Sequence, residues 1–259
     1  MNDISLFAEE RNGSIERMAK SDDLKSLSLA WVNKIGEHRY TYNFDALGLP
    51  IIQLPQDIVA IQEIIWKVRP DLVIETGIAR GGSLVHNASI LAMLDYADAV
   101  AAGTLLDPAK PHRKVLGIDI DIRPHNRAAI EGHAMSSRIE MMQGSAIDEE
   151  LVAAVAARAA KAERVLVILD SNHTHDHVLR ELELYAPLVS PESYCIVMDT
   201  LVEDLDDGLF PDRPWGKGDN PKTAVWEYLK THPEFEIDHA IHEKLLLTVA
   251  PDGYLRRVR

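Results

Sequence analysis

With 259 residues the chain can bury one substantial core, and its composition, 46% hydrophobic and 26% charged, is that of an ordinary globular protein. Lys and Arg total 27 against 41 Asp and Glu, a formal charge of −14, which disfavours nucleic acid or an anionic membrane surface as a partner. The lone Cys195 excludes an intramolecular disulfide, charges run throughout residues 1–25 where a signal peptide would be apolar, and no stretch of about 18 apolar residues occurs, so a cytoplasmic protein is expected.

Residues 1–50 mix short helical patterns with a polar stretch dotted with Tyr40, Tyr42 and Phe44, and are expected to form a helical N-terminal extension and loop, an element suited to homo-oligomer formation. A second unit is expected over 51–259. Pro55 and Asp57 open a helix whose apolar positions Ile58, Ile61, Ile64, Ile65 and Val68 recur at helical spacing. A short apolar run, Leu72-Val73-Ile74, then ends at Glu75. Strand-like and helix-like segments alternate from there: strands at 115–118, 139–142, 165–169 and 194–198, helices at 126–135, 149–162 and 177–186. This β-α-β-α order, with strands apolar on both faces, predicts a doubly wound α/β fold with a mostly parallel sheet. Two late strands, at 235–239 and 245–250, suit an antiparallel edge hairpin. The intervening residues 201–222 are rich in Asp, Gly and Pro and read as a long loop, with Trp215 on a plausible lid.

The run Glu75-Thr76-Gly77-Ile78-Ala79-Arg80-Gly81-Gly82-Ser83 ends a buried strand and turns into a helix. Glycines there permit positive φ, and the helix start offers unpaired N–H donors to a ligand. The order G-x-x-x-G-G lacks the Lys of a phosphate loop and the spacing of a dinucleotide motif. An acid at the strand end, Glu75, suits an ammonium-bearing ligand. The next strand ends in Asp119, placed to accept ribose hydroxyls, with Asp121 as its competitor. After the third strand, Gln143-Gly144-Ser145 and Asp148 lie where an adenine would be reached.

Asp170 ends the fourth strand and Asp199 the fifth. Two carboxylates on adjacent parallel strands face one crevice and suit a hard cation such as Mg²⁺. His173 is a candidate general base. The neighbouring His175 and His177 alternate in direction at a helix start and read as surface or capping residues rather than as a zinc site. Glu203, Asp204, Asp206 and Asp207 read as a solvated loop with a spare metal ligand at Glu203 or Asp204.

Several strings together resemble the cephalosporin hydroxylase family: residues 51–57, Ile74-Glu75-Thr76-Gly77 with Gly81-Gly82-Ser83, residues 117–123, Leu169-Asp170-Ser171-Asn172-His173 with residues 185–189, and Gly253-Tyr254-Leu255. The likeness covers about residues 38–259. It implies a class I, Rossmann-like S-adenosylmethionine-dependent O-methyltransferase acting on a small hydroxylated acceptor, among relatives that tailor antibiotics or methylate rhamnosyl groups. It further implies a seven-stranded sheet with an antiparallel final strand. Glu75, Gly77, Gly81 and Ser83 would line the methionine end of the cofactor, Asp119 its ribose, and Asp170 with an acidic pair on the fifth strand a Mg²⁺. The chain departs from that pattern at Met198, where an acid is expected before Asp199. Alternatives are an NAD oxidoreductase, an accessory protein that keeps the fold without catalysis, and an iron oxygenase built on His173, His175 and Asp170.

Overall fold

The computed structural model describes residues 3–206 and 208–259; Asp207 of the predicted acidic loop lies outside them. Two helices lead the chain, α1 (Asp3–Ala19) and α2 (Asp22–Gly36), the second N-capped by Ser21, which accepts from the Leu24 amide. A 3₁₀ turn at Tyr40–Asn43 follows. The predicted loop then contains an antiparallel hairpin, β1 (Phe44–Ala46) with β2 (Leu49–Ile51). Helix α3 (Pro55–Val68) starts at a proline in its first turn, as its pattern predicts, and ends at a left-handed Arg69.

The alternating body comprises β3 (Leu72–Thr76), α4 (Gly82–Ala102), β4 (Lys114–Asp119), α5 (Pro124–Glu131), β5 (Ile139–Gln143), α6 (Glu149–Ala159), β6 (Val165–Leu169), α7 (His175–Tyr185) and β7 (Tyr194–Val197). Then come α8 (Pro221–Tyr228), β8 (Phe235–Ile237), α9 (His239–Leu245) and β9 (Tyr254–Arg257). One seven-stranded sheet has the order β5-β4-β3-β6-β7-β9-β8, with β5 to β7 parallel and β9 antiparallel to both its neighbours.

Strand residues alternate between two cores, which is what a doubly wound sheet requires. Val73, Val115, Leu166, Ile168, Tyr194 and Ile196 pack with α3 and α4 on one face. Leu72, Ile74, Leu116, Val165, Val167, Cys195 and Val197 pack with α6, α7 and α8 on the other. Fully burying one such Val, Leu or Ile side chain contributes roughly 1.5–3 kcal/mol, so these two layers supply the main drive for folding.

The C-terminal prediction is half right. A strand forms at Phe235–Ile237, but the predicted strand at 245–250 is not one: the chain makes α9, and the final strand is β9. The apolar run Leu245-Leu246-Leu247 misled the reading. Its pattern does not distinguish a buried helix end from a strand. The expected antiparallel edge does form, β8 pairing with β9, but a helix replaces the short connection and β9 inserts between β7 and β8.

Candidate active site

Strand order reverses between β3 and β6, which are parallel hydrogen-bonded neighbours, so a crevice opens beyond their carboxyl ends. The turn after β3 is held from three sides. Gly77 donates its amide to the Ile118 carbonyl at 2.7 Å, and Asp170 donates its amide to the Thr76 carbonyl at 2.9 Å. Asp119 accepts from the Ile78 amide at 2.8 Å and the Ala79 amide at 3.2 Å through one oxygen, and from the Asp121 amide at 2.9 Å through the other. The 77–83 turn and Asp119 therefore open onto the same groove. Asn126, which no sequence signal singles out, completes the clamp by donating to the Ala79 carbonyl at 2.8 Å.

The reason for the glycines differs from the sequence expectation. Gly77 has φ +88°, and a Cβ there would sit 1.9 Å from the Asp170 carbonyl oxygen. A Cβ on Gly81 would meet Ile130, and one on Gly82 would lie 2.3 Å from the Pro50 carbonyl. All three let protein approach protein. They bring β6, α5 and the β1–β2 hairpin against the turn, rather than leaving bare backbone for a ligand.

Glu75 is 1% exposed and lies beneath the groove. Ser83 donates to one of its oxygens and Asn87 to the other at 2.8 Å, so the acid ties down the first turns of α4. Burial pushes its pKa up to about 7, against the lowering effect of the two hydrogen bonds. Ser145 follows Gly144 at the tip of β5, half-buried; Asp148 does not reach the groove but N-caps α6, accepting from the Leu151 amide at 2.9 Å. Asp121 is exposed and stands 3.7 Å from Arg123.

Asp170, His173 and Asp199 converge. Their donor atoms all lie within 4.8 Å of one another, and His173 Nε2 is 3.2 Å from Asp199 Oδ2. Burial first, then the charges of Asp199, Glu75, Glu181 and Asp57, drives the Asp170 pKa well above the usual carboxylate range. Each of these causes raises it. Met198, where an acid is expected, is 1% exposed and belongs to the α3–α4 core. The His173 imidazole stands where it could replace the missing oxygen donor. Two carboxylates and an imidazole fit a divalent cation, the carboxylates suiting Mg²⁺ and the nitrogen suiting a softer metal such as Mn²⁺.

Trp215 packs edge-on against His173 at 5.5 Å and against Phe210 at 5.3 Å, so the predicted lid lies on the triad. Glu203 and Asp204 are not spare metal ligands. Glu203 accepts from the Gly218 amide at 2.7 Å and from Asn220 at 2.5 Å, and Lys222 donates to Asp204 at 2.6 Å. The surface assignment of the other histidines also needs correction. His175 is half-buried and bridges to α8 through Thr223 at 2.8 Å, and half-buried His177 faces Ser171 at 3.3 Å. Glu181, fully buried on α7, accepts from Ser171 at 2.8 Å while its second oxygen has no hydrogen-bond partner among the described residues. Tyr40 packs between Trp31 and Phe44 against the core, whereas Tyr42 is exposed.

Residues 38–258 match the family model described as Rhamnosyl O-methyltransferase/CmcI. Rhamnosyl O-methyltransferases of Mycobacterium tuberculosis and Mycobacterium bovis are 28% identical over 214 residues, 82% of this chain and 77% of theirs. That of Mycobacterium leprae is 28% identical over 216 residues, covering 82% of each chain. A solved apo structure of CmcI superposes with a TM-score of 0.52 at 18% identity, over 84% of this chain and 77% of that one, a likeness of fold.

Proposed function

The chain belongs to the rhamnosyl O-methyltransferase/CmcI family, and from that premise we propose that it is an S-adenosylmethionine-dependent O-methyltransferase whose acceptor is a hydroxyl of a small molecule, a sugar or a natural-product intermediate. One observation carries the reading: the Ile78–Asp119 hydrogen bond at 2.8 Å joins the glycine turn to the end of β4, beside the acids at the ends of β6 and β7. A nucleoside-amino-acid pocket and an acidic acceptor site then share one groove.

The start of α4 and Ser145 border the cofactor groove. Glu75 acts from below, by its charge and by fixing Ser83, and Gly77 and Gly81 let the turn seat against β6 and α5. Asp119 spends about three of its four lone pairs on backbone amides, leaving about one for a ribose hydroxyl rather than enough for both. Asp170 and Asp199 would hold the divalent cation. When bound, the cofactor supplies an electrophilic methyl carbon on a sulfonium, and the cation polarises the acceptor hydroxyl. Asp199 orients His173, which would take the acceptor hydroxyl proton as the methyl group is transferred. Trp215 packs edge-on over part of His173 and limits its exposure to water. His173 stands close enough to be the third cation donor instead, and tighter binding of Mn²⁺ than Mg²⁺ would favour that role. The division at residue 50, self-association through α1 and α2, and a cytoplasmic location belong to the same proposal; among the described residues no helix is long and apolar enough to cross a membrane.

Thermal unfolding of the full chain with S-adenosylhomocysteine, NAD or 2-oxoglutarate tests it. Stabilisation by S-adenosylhomocysteine alone is expected. A shift with NAD, and none with S-adenosylhomocysteine, overturns the assignment in favour of an oxidoreductase.

A further inference from the structure

A second group of metal-ligating side chains stands outside the crevice, and sequence reading did not find it. His239 and His242 lie three residues apart on α9, so their rings share a face. Asp252 reaches them from the turn before β9, where it adopts a left-handed φ of +64°. The Nδ1 atoms of both histidines are 3.7 Å from the same oxygen, Asp252 Oδ1, and the three donor atoms lie within 4.8 Å of one another.

We propose that His239, His242 and Asp252 form a binding site for a divalent transition-metal ion such as Zn²⁺, distinct from the Asp170–His173–Asp199 crevice. Donors around tetrahedral Zn²⁺ stand roughly 3.3–3.5 Å apart, given bond lengths near 2.0–2.2 Å, so each 3.7 Å separation from Asp252 needs only a few tenths of an ångström of contraction, and exposed His239 can turn to bring the two imidazoles, within 4.8 Å, to the same spacing. The Nδ1 atom of His242 is buried and has no hydrogen-bond partner among the described residues, a cost the fold would relieve by giving it a cation. The two oxygens of Asp252 are divided between different neighbours. Trp226 Nε1 donates to Oδ2 at 3.3 Å, and Lys222 approaches that same oxygen at 3.9 Å while bonding mainly to Asp204 at 2.6 Å. Oδ1 is left to the imidazoles. This also orients the carboxylate from outside the donor set, as in protein metal sites generally. The His239 side chain is 59% exposed, so an ion can enter from solvent. Two imidazoles and one carboxylate favour zinc, cobalt or nickel over magnesium. With three protein donors, one tetrahedral position stays open to water. His242, Trp226 and Pro251 also line a cavity of about 500 Å³.

The test is a Co²⁺ titration of the chelator-stripped full chain, read by visible d–d absorption and by equilibrium dialysis, in the Asp199→Asn background to disable the crevice site. One saturable equivalent with a tetrahedral spectrum is expected, displaced by Zn²⁺ and not by excess Mg²⁺. Adding His239→Ala or Asp252→Asn should weaken Co²⁺ binding at least tenfold, as should His242→Ala if that variant folds. His239 is exposed, so its variant keeps the test decisive, with circular dichroism confirming the fold. No saturable Co²⁺ site in the Asp199→Asn chain, or one indifferent to His239→Ala, overturns the proposal.

Discussion

Buried carboxylates flank the sheet in two settings, and the chain treats them in opposite ways. Asp95 on α4 is 6% exposed and is met at 2.5 Å by Arg113 through one oxygen and by Arg138 through the other. Burial raises its pKa, but the two arginines outweigh that and hold it below the usual range. The acids of the crevice and the neighbouring core receive no such partner. Burial lifts Glu75 to about 7 and Asp57 to about 6, and burial with the charges of its neighbours drives Asp170 well above the usual carboxylate range. The same chain neutralises a buried carboxylate where structure alone is at stake. It leaves acids without a cationic side chain, ready to hold a proton, where a cationic ligand and a divalent ion would complete the balance.

Removing one arginine breaks the compensated side and gives the largest expected effect. Arg138→Met leaves Asp95 with an unpaired oxygen and should cost about 3–5 kcal/mol, read from urea unfolding midpoints. The uncompensated side shows itself in pH. Glu75 binds its proton more tightly when folded, so the ligand-free chain is favoured while the acid is protonated in both states and loses stability as pH rises from about 4.5 through about 7. The loss is on the order of 3 kcal/mol for a shift of this size. Glu75→Gln should flatten that slope; an unchanged slope would show that Glu75 is not its source. Asp170→Asn tests the crevice with the opposite sign. Ligand-free stability at pH 8 should rise, while any Mg²⁺- or Mn²⁺-induced rise in Tm disappears. Smallest is Trp215→Ala, which removes an edge-on contact to His173 and should cost about 1 kcal/mol, with weaker protection of the crevice from solvent by hydrogen exchange.

The alternating body of the fold was legible because its strands are long apolar runs and each helix repeats at its own period. Val165–Leu169 is recovered to the residue. Failure came where the signal was short. Strands β1 and β2 are three residues each, and β9 draws two of its four positions from arginines, so neither carries a hydrophobic pattern. At the site, strand order and loop acids brought Glu75, Asp119, Asp170 and Asp199 into view. What they touch was not visible. Asp119 is occupied by backbone amides, Glu75 by Ser83 and Asn87, and Gly77 by the Asp170 carbonyl, all contacts between segments far apart in sequence. Glu181 and Asn126 are unremarkable in a helical pattern, and only packing turns them toward the crevice.

The wedged position of β9 has a kinetic consequence. Its turn receives the Val197 amide on the Gly253 carbonyl at 2.8 Å, and a Cβ on Gly253 would sit 2.1 Å from the Val197 oxygen, so the shoulder bearing Asp199 rests on residues more than fifty positions later. Closing so long a segment is slow relative to forming local βα units. During refolding, helix content should therefore recover before affinity for a divalent ion does, and the interval between the two would time the arrival of the last strand.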